Sequence, residues 1–215
     1  MNFIVSSATL LRHLQNISGV LNSSNTLPIL DNFKFSIKGN KLEISATDLE
    51  TTMITKLDVQ SEEDGAVAVP AKLVLEVLKS LPDQPCTFKV NGENHKIEIS
   101  YDNGRSEMSG FNGAEFPKLP KIENQSTINI SGEIVSNAIN RTLFAAGNDE
   151  LRPAMSGVYC EFSGNEIIFV ATDAHKLVRY KRNDAKSTDS SDFILPKKPL
   201  NMLKANLSGK EDIKL

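Results

Sequence analysis

The sequence holds no tryptophan, 2 cysteines and 3 histidines in 215 residues. Cys86 and Cys160 are too few for a disulfide framework or a zinc cage, so both read as reduced, structural residues. No apolar run approaches the roughly 20 residues that a membrane helix needs. The opening Met1-Asn2-Phe3-Ile4-Val5-Ser6 lacks a basic n-region and turns polar too soon for a secretory signal, which predicts an intracellular, cytoplasmic protein with no membrane partner. Missing too are G-x-S-x-G, H-E-x-x-H, a phosphate-binding glycine loop and paired C-x-x-C motifs, so neither a cofactor nor a metal is expected. Charge of one sign is also scarce: 24 Lys and Arg face 27 Asp and Glu, a formal net charge of -3. That balance argues weakly against holding nucleic acid by overall charge, yet leaves room for a local basic stripe.

What the chain does have is an internal repeat. A shift of 125 residues lays the sequence on itself without a gap over a long span. Phe33, Phe35 and Ile37 fall on Val158, Cys160 and Phe162; Ala46-Thr47-Asp48 falls on Ala171-Thr172-Asp173; Pro28 falls on Pro153. One residue later the match resumes, with Val69-Pro70-Ala71-Lys72 on Leu195-Pro196-Lys197-Lys198. Apolar period, turn chemistry and length kept together mark two copies of one domain. The first copy runs over 1–124 and the second over 125–215, with Pro117 to Gln125 as end and linker. Segments equivalent to Ile97–Ser100 and Ser106–Phe111 have no counterpart in the second copy. The chain therefore reads as a fragment, because final strands supplied from elsewhere would leave an uncovered sheet edge.

Within a copy the order is strand, helix, strands, helix, strands. Ser7 can cap a helix whose apolar stripe is Leu10, Leu14, Ile17 and Leu21. Phe33 to Ile37 alternates, Gly39-Asn40 turns the chain, and Leu42 to Ala46 returns, which is a hairpin signature. A second helix follows Pro70, with Val74, Val77, Leu78 and Leu81 inward. The expectation is an α+β domain with two helices packed on antiparallel strands.

Two functional signals follow. Arg12, Gln15 and Asn16 lie opposite the apolar stripe of the first helix, and Asn137 and Arg141 take the equivalent places of Arg12 and Asn16 in the second copy. Lys72 and Lys79 occupy the outer face of the other helix, answered by Lys197, Lys198 and Lys204. Residues 1–125 hold 12 basic and 16 acidic side chains and residues 126–215 hold 12 and 11, so acid is displaced to strands and loops such as Glu62-Glu63-Asp64. Any one of these cations can be an ordinary solvated residue, but their recurrence on one face suits phosphates met without sequence preference. The second signal is divergence: Asp48 is followed by Leu49-Glu50-Thr51-Thr52, Asp173 by Ala174-His175-Lys176-Leu177. His175 beside Asp173 and Thr172 allows acid–base chemistry, a metal ligand, an ordinary strand end, or the rim of a groove floored by Leu177 and Met155. The groove is favoured, since only His13 and His95 could join a metal site and neither has a ligand spacing.

The sequence resembles the bacterial sliding clamp family, the β subunits of DNA polymerase III. The residues that carry this are Thr26-Leu27-Pro28-Ile29-Leu30, Ala46-Thr47-Asp48-Leu49-Glu50, Val69-Pro70-Ala71-Lys72, Glu115-Phe116-Pro117-Lys118-Leu119, Arg152-Pro153-Ala154-Met155-Ser156-Gly157-Val158 and Ala171-Thr172-Asp173-Ala174-His175-Lys176-Leu177. The resemblance implies tandem clamp domains of α+β class. A protomer in that family has three, and two protomers close head to tail into a ring around duplex DNA. It implies a non-enzymatic processivity factor with Lys72, Lys79, Arg141, Arg152, Lys197 and Lys198 toward DNA. Ser24 and Asp149 stand where relatives often have basic or amide side chains, which implies weaker or redistributed loop contacts. Met155, Thr172, Ala174, His175, Lys176 and Leu177 match one wall of the pocket that takes peptides from DNA polymerase III subunits, the clamp loader and repair proteins. Ala174 replaces a common glycine and Lys176 a common arginine. Arg105 and Met108 match the ring interface, whose other side is a third domain, so this chain is expected not to close the homodimeric ring. The alternative is a standalone DNA-binding or scaffold module that never encircles DNA.

Overall fold

The computed structural model describes residues 1–22, 25–118, 127–149, 151–184, 190–207 and 211–215. The chain separates into two compact units, Met1–Pro120 and Lys121–Leu215. The division expected at 124/125 lies outside the described residues, as do Ser24 and Leu119.

The first unit runs β1 (Asn2–Ser6), α1 (Ser7–Ser18), β2 (Asn32–Lys38), β3 (Lys41–Thr47), β4 (Thr52–Asp58), β5 (Gln60–Glu63), β6 (Gly65–Pro70), α2 (Ala71–Ser80), β7 (Pro85–Val90), β8 (Lys96–Tyr101), β9 (Gly104–Ser109) and β10 (Phe111–Asn112). Its strands form two antiparallel sheets, ordered β5-β1-β7-β8-β9 and β10-β6-β2-β3-β4. Local hairpins link most neighbours, but β1 pairs with β7 and β2 with β6, joining segments far apart in the chain. Gly39 turns the β2–β3 hairpin at φ +58, a backbone region in which glycine carries no Cβ penalty.

The core of this unit is built by alternation along strands and a stripe along helices. Phe3 and Phe88 from one sheet stack at 4.8 Å between ring centres, and Phe35 from the other sheet tilts against them at 6.4 and 6.3 Å. Leu10, Leu14 and Ile17 of α1 and Val74 and Leu78 of α2 complete it, all buried. The fourth member of the α1 stripe is Val20, not Leu21: the helix ends at Ser18 with Gly19 as its cap, and Val20 turns inward. On α2, Val77 is half-buried and Leu81 falls at the cap beyond the last turn.

The cap of α1 is also displaced by one residue. Ser6, with extended backbone, accepts a hydrogen bond from the Thr9 amide at 3.1 Å, satisfying one of the amides that a helix start leaves free. Ser7 is buried; its hydroxyl donates to the Pro82 carbonyl at 2.8 Å and accepts from the Gln84 amide at 3.0 Å, tying the helix start to the chain before β7. The second unit repeats the device with Ser131 as cap, and Gly132 at the place of Ser7. A Cβ on Gly132 would stand 2.8 Å from the Glu211 carbonyl oxygen, so this approach excludes any larger residue without movement.

The second unit runs β11 (Asn129–Ser131), α3 (Gly132–Thr142), β12 (Gly157–Phe162), β13 (Ile167–Thr172), β14 (Leu177–Arg182), β15 (Ser191–Pro196), α4 (Lys197–Asn206) and β16 (Asp212–Lys214). Its described strands form a sheet ordered β14-β13-β12-β15 and a pair, β11-β16, again antiparallel. Phe162 stacks on Phe193 at 5.6 Å and meets Phe169 edge-on at 6.1 Å in a core closed by Val135, Ala138, Ile139 and Leu200. Cys86 and Cys160 are both buried and unbridged, and burial pushes the Cys160 thiol up to about 12. Among the described residues, no helix is long and apolar enough to cross a membrane.

Candidate DNA-facing and partner-binding surfaces

The helices carry charge of one sign out of proportion to the chain. Arg12 on α1, Lys72 and Lys79 on α2, Arg141 on α3 and Lys197, Lys198 and Lys204 on α4 are opposed by two acids only, Glu76 and Glu133. The reason is local: each helix has a buried stripe and an exposed face, and the apolar stripe leaves the cations on the water side. Arg12, Lys72, Lys79, Arg141 and Lys204 are exposed.

The cations differ in what already holds them. Lys79 and Arg141 stand in the last turns of their helices, where a positive charge faces the negative end of the helix dipole. Lys197 is drawn back: its ammonium donates to Asn148 Oδ1 at 2.7 Å and to the Ala146 carbonyl at 3.2 Å, stitching the start of α4 to the loop after α3. Arg152 Nε donates to Asp149 Oδ2 at 2.8 Å, and that bond, followed by the Leu151 amide, holds the Asp149 carboxyl below its ordinary range. Lys197 and Arg152, both expected to face DNA, each also have a partner within their own chain.

The second region is the turn between β13 and β14. Ala174 adopts φ +74, and in the first unit Leu49, at the equivalent place, adopts φ +79. The Ala174 amide donates to Thr172 Oγ1 at 3.1 Å, as the Leu49 amide does to Thr47 Oγ1 at 3.1 Å. Asp173 Oδ1 accepts from the amides of His175 at 3.0 Å and Lys176 at 2.9 Å; Asp48 Oδ1 accepts from Glu50 at 3.1 Å and Thr51 at 2.6 Å. The threonine hydroxyls close both turns by donating to the Lys176 carbonyl at 2.8 Å and the Thr51 carbonyl at 3.1 Å. The Ala-Thr-Asp motif is thus a folding device shared by both copies, in which short polar side chains satisfy turn amides.

That device decides what the following residues can do. The Lys176 ammonium bridges to Asp173, and this bond, with the amides of Lys176 and His175, holds the Asp173 carboxyl well below the usual carboxylate range. A carboxylate so occupied is a poor base for a neighbouring imidazole. Past the turn, His175 and Lys176 are exposed and Leu177 is 67% exposed. Met155 is half-buried and reaches the same place: its carbonyl accepts from the Gly147 amide at 2.7 Å, and a Cβ on Gly147 would lie 3.4 Å from that oxygen and 3.8 Å from Asp173 Cα. Gly147 thus lies between the Met155 main chain and Asp173 of the turn.

Arg105 and Met108 take opposite faces of one strand. Both lie on β9, which is an edge strand. Arg105 is exposed, whereas Met108 is 6% exposed and points into the core opposite Ile97. Residues three apart on a strand face opposite sides of the sheet.

With that geometry in place, likeness to known proteins decides the family. A model of the DNA polymerase III beta subunit, N-terminal domain, matches residues 1–120, and one of its central domain matches residues 129–215. The chain belongs to the β sliding clamp family. It is 30% identical to the beta sliding clamp of Escherichia coli over 210 residues, which is 97% of this chain and 57% of that protein. It is 27% identical to the beta sliding clamp of Vibrio cholerae over 199 residues, or 92% of this chain and 54% of the relative. The crystal structure of a Pseudomonas aeruginosa sliding clamp bound to griselimycin superposes with a TM-score of 0.91 at 27% identity, covering 100% of this chain and 58% of that one. A Bacillus subtilis clamp, at 24% identity and a TM-score of 0.92, has the same fold. The chain spans little more than half the length of these clamps. Reading the sequence for clamp-like cations passed over Tyr180 on β14, although a signal was available. Asn16 and Thr55 of the first clamp domain become Arg141 and Tyr180 in the second, so two positions depart together.

Proposed function

We propose that this chain supplies two domains of a bacterial DNA polymerase processivity factor, a ring that encircles duplex DNA and tethers the replicative polymerase. The observation that carries the reading is the separation of charge. The four helices hold seven basic and two acidic side chains, while the chain as a whole has more acid than base. In each unit a helical surface of that kind meets the phosphate backbone without reading bases. Lys72 and Lys79 serve the first unit and Arg141, Lys197, Lys198 and Arg152 the second, Lys197 and Arg152 also bracing the loop between α3 and β12. Low affinity suits the task, since a ring retains DNA by topology and must slide.

Partners dock at the turn after β13. Leu177 and Met155 offer an apolar seat rimmed by Thr172, Ala174, His175 and Lys176, suited to a short linear peptide with an apolar side chain from polymerase or clamp-loader subunits. The role is binding, not turnover: Asp173 is held by its own turn and by Lys176. Ring closure between protomers involves the β9 edge, with Arg105 as its exposed charge.

The test uses the full-length protein of the source organism, loaded by a clamp loader onto nicked circular DNA that is then linearised. A ring runs off the free ends; retention after linearisation refutes encirclement and favours a non-encircling DNA-binding module. For the docking seat, a peptide carrying a clamp-binding motif should lose affinity for full-length Leu177→Asp, and unchanged affinity refutes the assignment.

A further inference from the structure

The second domain mounts one helix cation on an aromatic platform that the first domain lacks. Arg141, exposed in the last turn of α3, places its guanidinium carbon 5.5 Å from the ring centre of Tyr180 on β14. The hydroxyl of that tyrosine accepts from Arg182 Nη1 at 3.1 Å. Arg182 is itself gripped by Asp184 through two bonds, Nε to Oδ1 at 2.7 Å and Nη2 to Oδ2 at 2.6 Å. The Tyr180 ring also leans on Phe169 of the core, 6.4 Å between centres. Core, Arg182 and Arg141 therefore hold the tyrosine from three directions.

An aromatic face attracts a guanidinium through its ring quadrupole and offers no acceptor oxygen, so the ring restrains the cation without a conventional hydrogen bond. This separates Arg141 from Arg152, whose Nε already donates to Asp149. It also separates the second domain from the first. There the equivalent positions are Asn16 and Thr55, and Thr55 contacts His13 of α1 at 2.5 Å instead.

We infer that Tyr180 is a positioning residue for DNA binding: its ring holds the Arg141 guanidinium in place at the end of α3, where its N–H donors can meet a backbone phosphate, and Asp184–Arg182 steadies the ring through its hydroxyl. The inference rests on the reading of α3 as a DNA-facing helix. It makes β14, a strand on the sheet side, part of the DNA-contacting apparatus of this domain.

The experiment is fluorescence anisotropy of a labelled duplex of about 20 base pairs with the 215-residue chain at several salt concentrations. Arg141→Ala should reduce the slope of log affinity against log salt by about one phosphate contact. Tyr180→Leu should weaken binding about two- to five-fold, and Tyr180→Phe, which keeps the ring but loses the bond from Arg182, should recover most of that loss. The double variant Tyr180→Leu/Arg141→Ala should bind no more weakly than Arg141→Ala alone. Additive losses would show that Tyr180→Leu damages the fold generally, and would overturn the inference. So would a Tyr180→Leu chain that binds like wild type, or a Tyr180→Phe chain as weak as Tyr180→Leu. An Arg141→Ala chain with an unchanged salt slope removes the DNA-facing reading of Arg141 itself, and the inference falls with it.

Discussion

Ala174 holds φ +74 in the turn that presents the docking residues. For a residue with a Cβ, this left-handed region crowds the following carbonyl oxygen at a cost of about 1–2 kcal/mol. Glycine removes that crowding but has more freedom to lose on folding, about 0.5–1 kcal/mol. The difference predicts that Ala174→Gly stabilises the second unit by about 0.5–1 kcal/mol, or roughly 2–8 °C for a unit of this size. The turn itself should not loosen, because its bonds run from Thr172 and Asp173 to main-chain groups and the Lys176 ammonium, and none involves the Ala174 side chain. Thermal and urea unfolding followed by circular dichroism would measure the shift. Leu49→Gly, at φ +79 in the first unit, serves as a parallel case. If Ala174→Gly unfolds at lower temperature than wild type, with the denaturant slope unchanged, the strain argument is wrong and the alanine contributes something the turn geometry does not reveal.

Other consequences are open to direct measurement. Because Asp173 is held below the unfolded carboxylate value of about 3.9, its contribution to stability is present above that pH and fades as pH falls through the folded value. Asp173→Asn keeps an acceptor oxygen but does not titrate, so the second unit should lose less stability between about pH 5 and pH 2 in the variant than in wild type; equal losses would refute this. Met108→Ala should destabilise the first unit by about 2–5 kcal/mol as a core truncation, while Arg105→Ala leaves its melting nearly unchanged. A Met108→Ala chain as stable as wild type would return Met108 to the surface. Gly132→Ala should cost about 1–3 kcal/mol by forcing its Cβ against the Glu211 carbonyl, and a neutral result would show that the α3 start relaxes freely.

The repeat, the helices and the hairpins were legible because each is a periodic local signal. Apolar residues at helical spacing must share a face, and alternating residues must divide between core and water. Even the end of α1 was available, since a glycine directly after the last helical residue is a stop signal that Leu21 should not have outranked. The partition into two sheets per domain was less accessible. It depends on β1 pairing with β7 and β2 with β6, which local patterning does not encode.

The site residues divide along the same line. Which residues are cations on a helix face follows from the wheel, so Lys72, Lys79 and Arg141 emerged directly. Which cations remain available depends on neighbours brought in by the fold: Asp149 for Arg152, Ala146 and Asn148 for Lys197, Tyr180 for Arg141. Arg105 and Met108 show what spacing alone gives: three apart on an edge strand, they take opposite faces, one exposed and one buried. The same alternation has a constructive side on β14. Val178, Tyr180 and Arg182 are half-buried and share one face, while Leu177, Arg179 and Lys181 are exposed on the other. One face of the strand therefore carries the platform for Arg141. Leu177, at the start of the other, opens the docking seat. If both proposals hold, a six-residue strand couples the part of the clamp that meets DNA to the part that meets its partners.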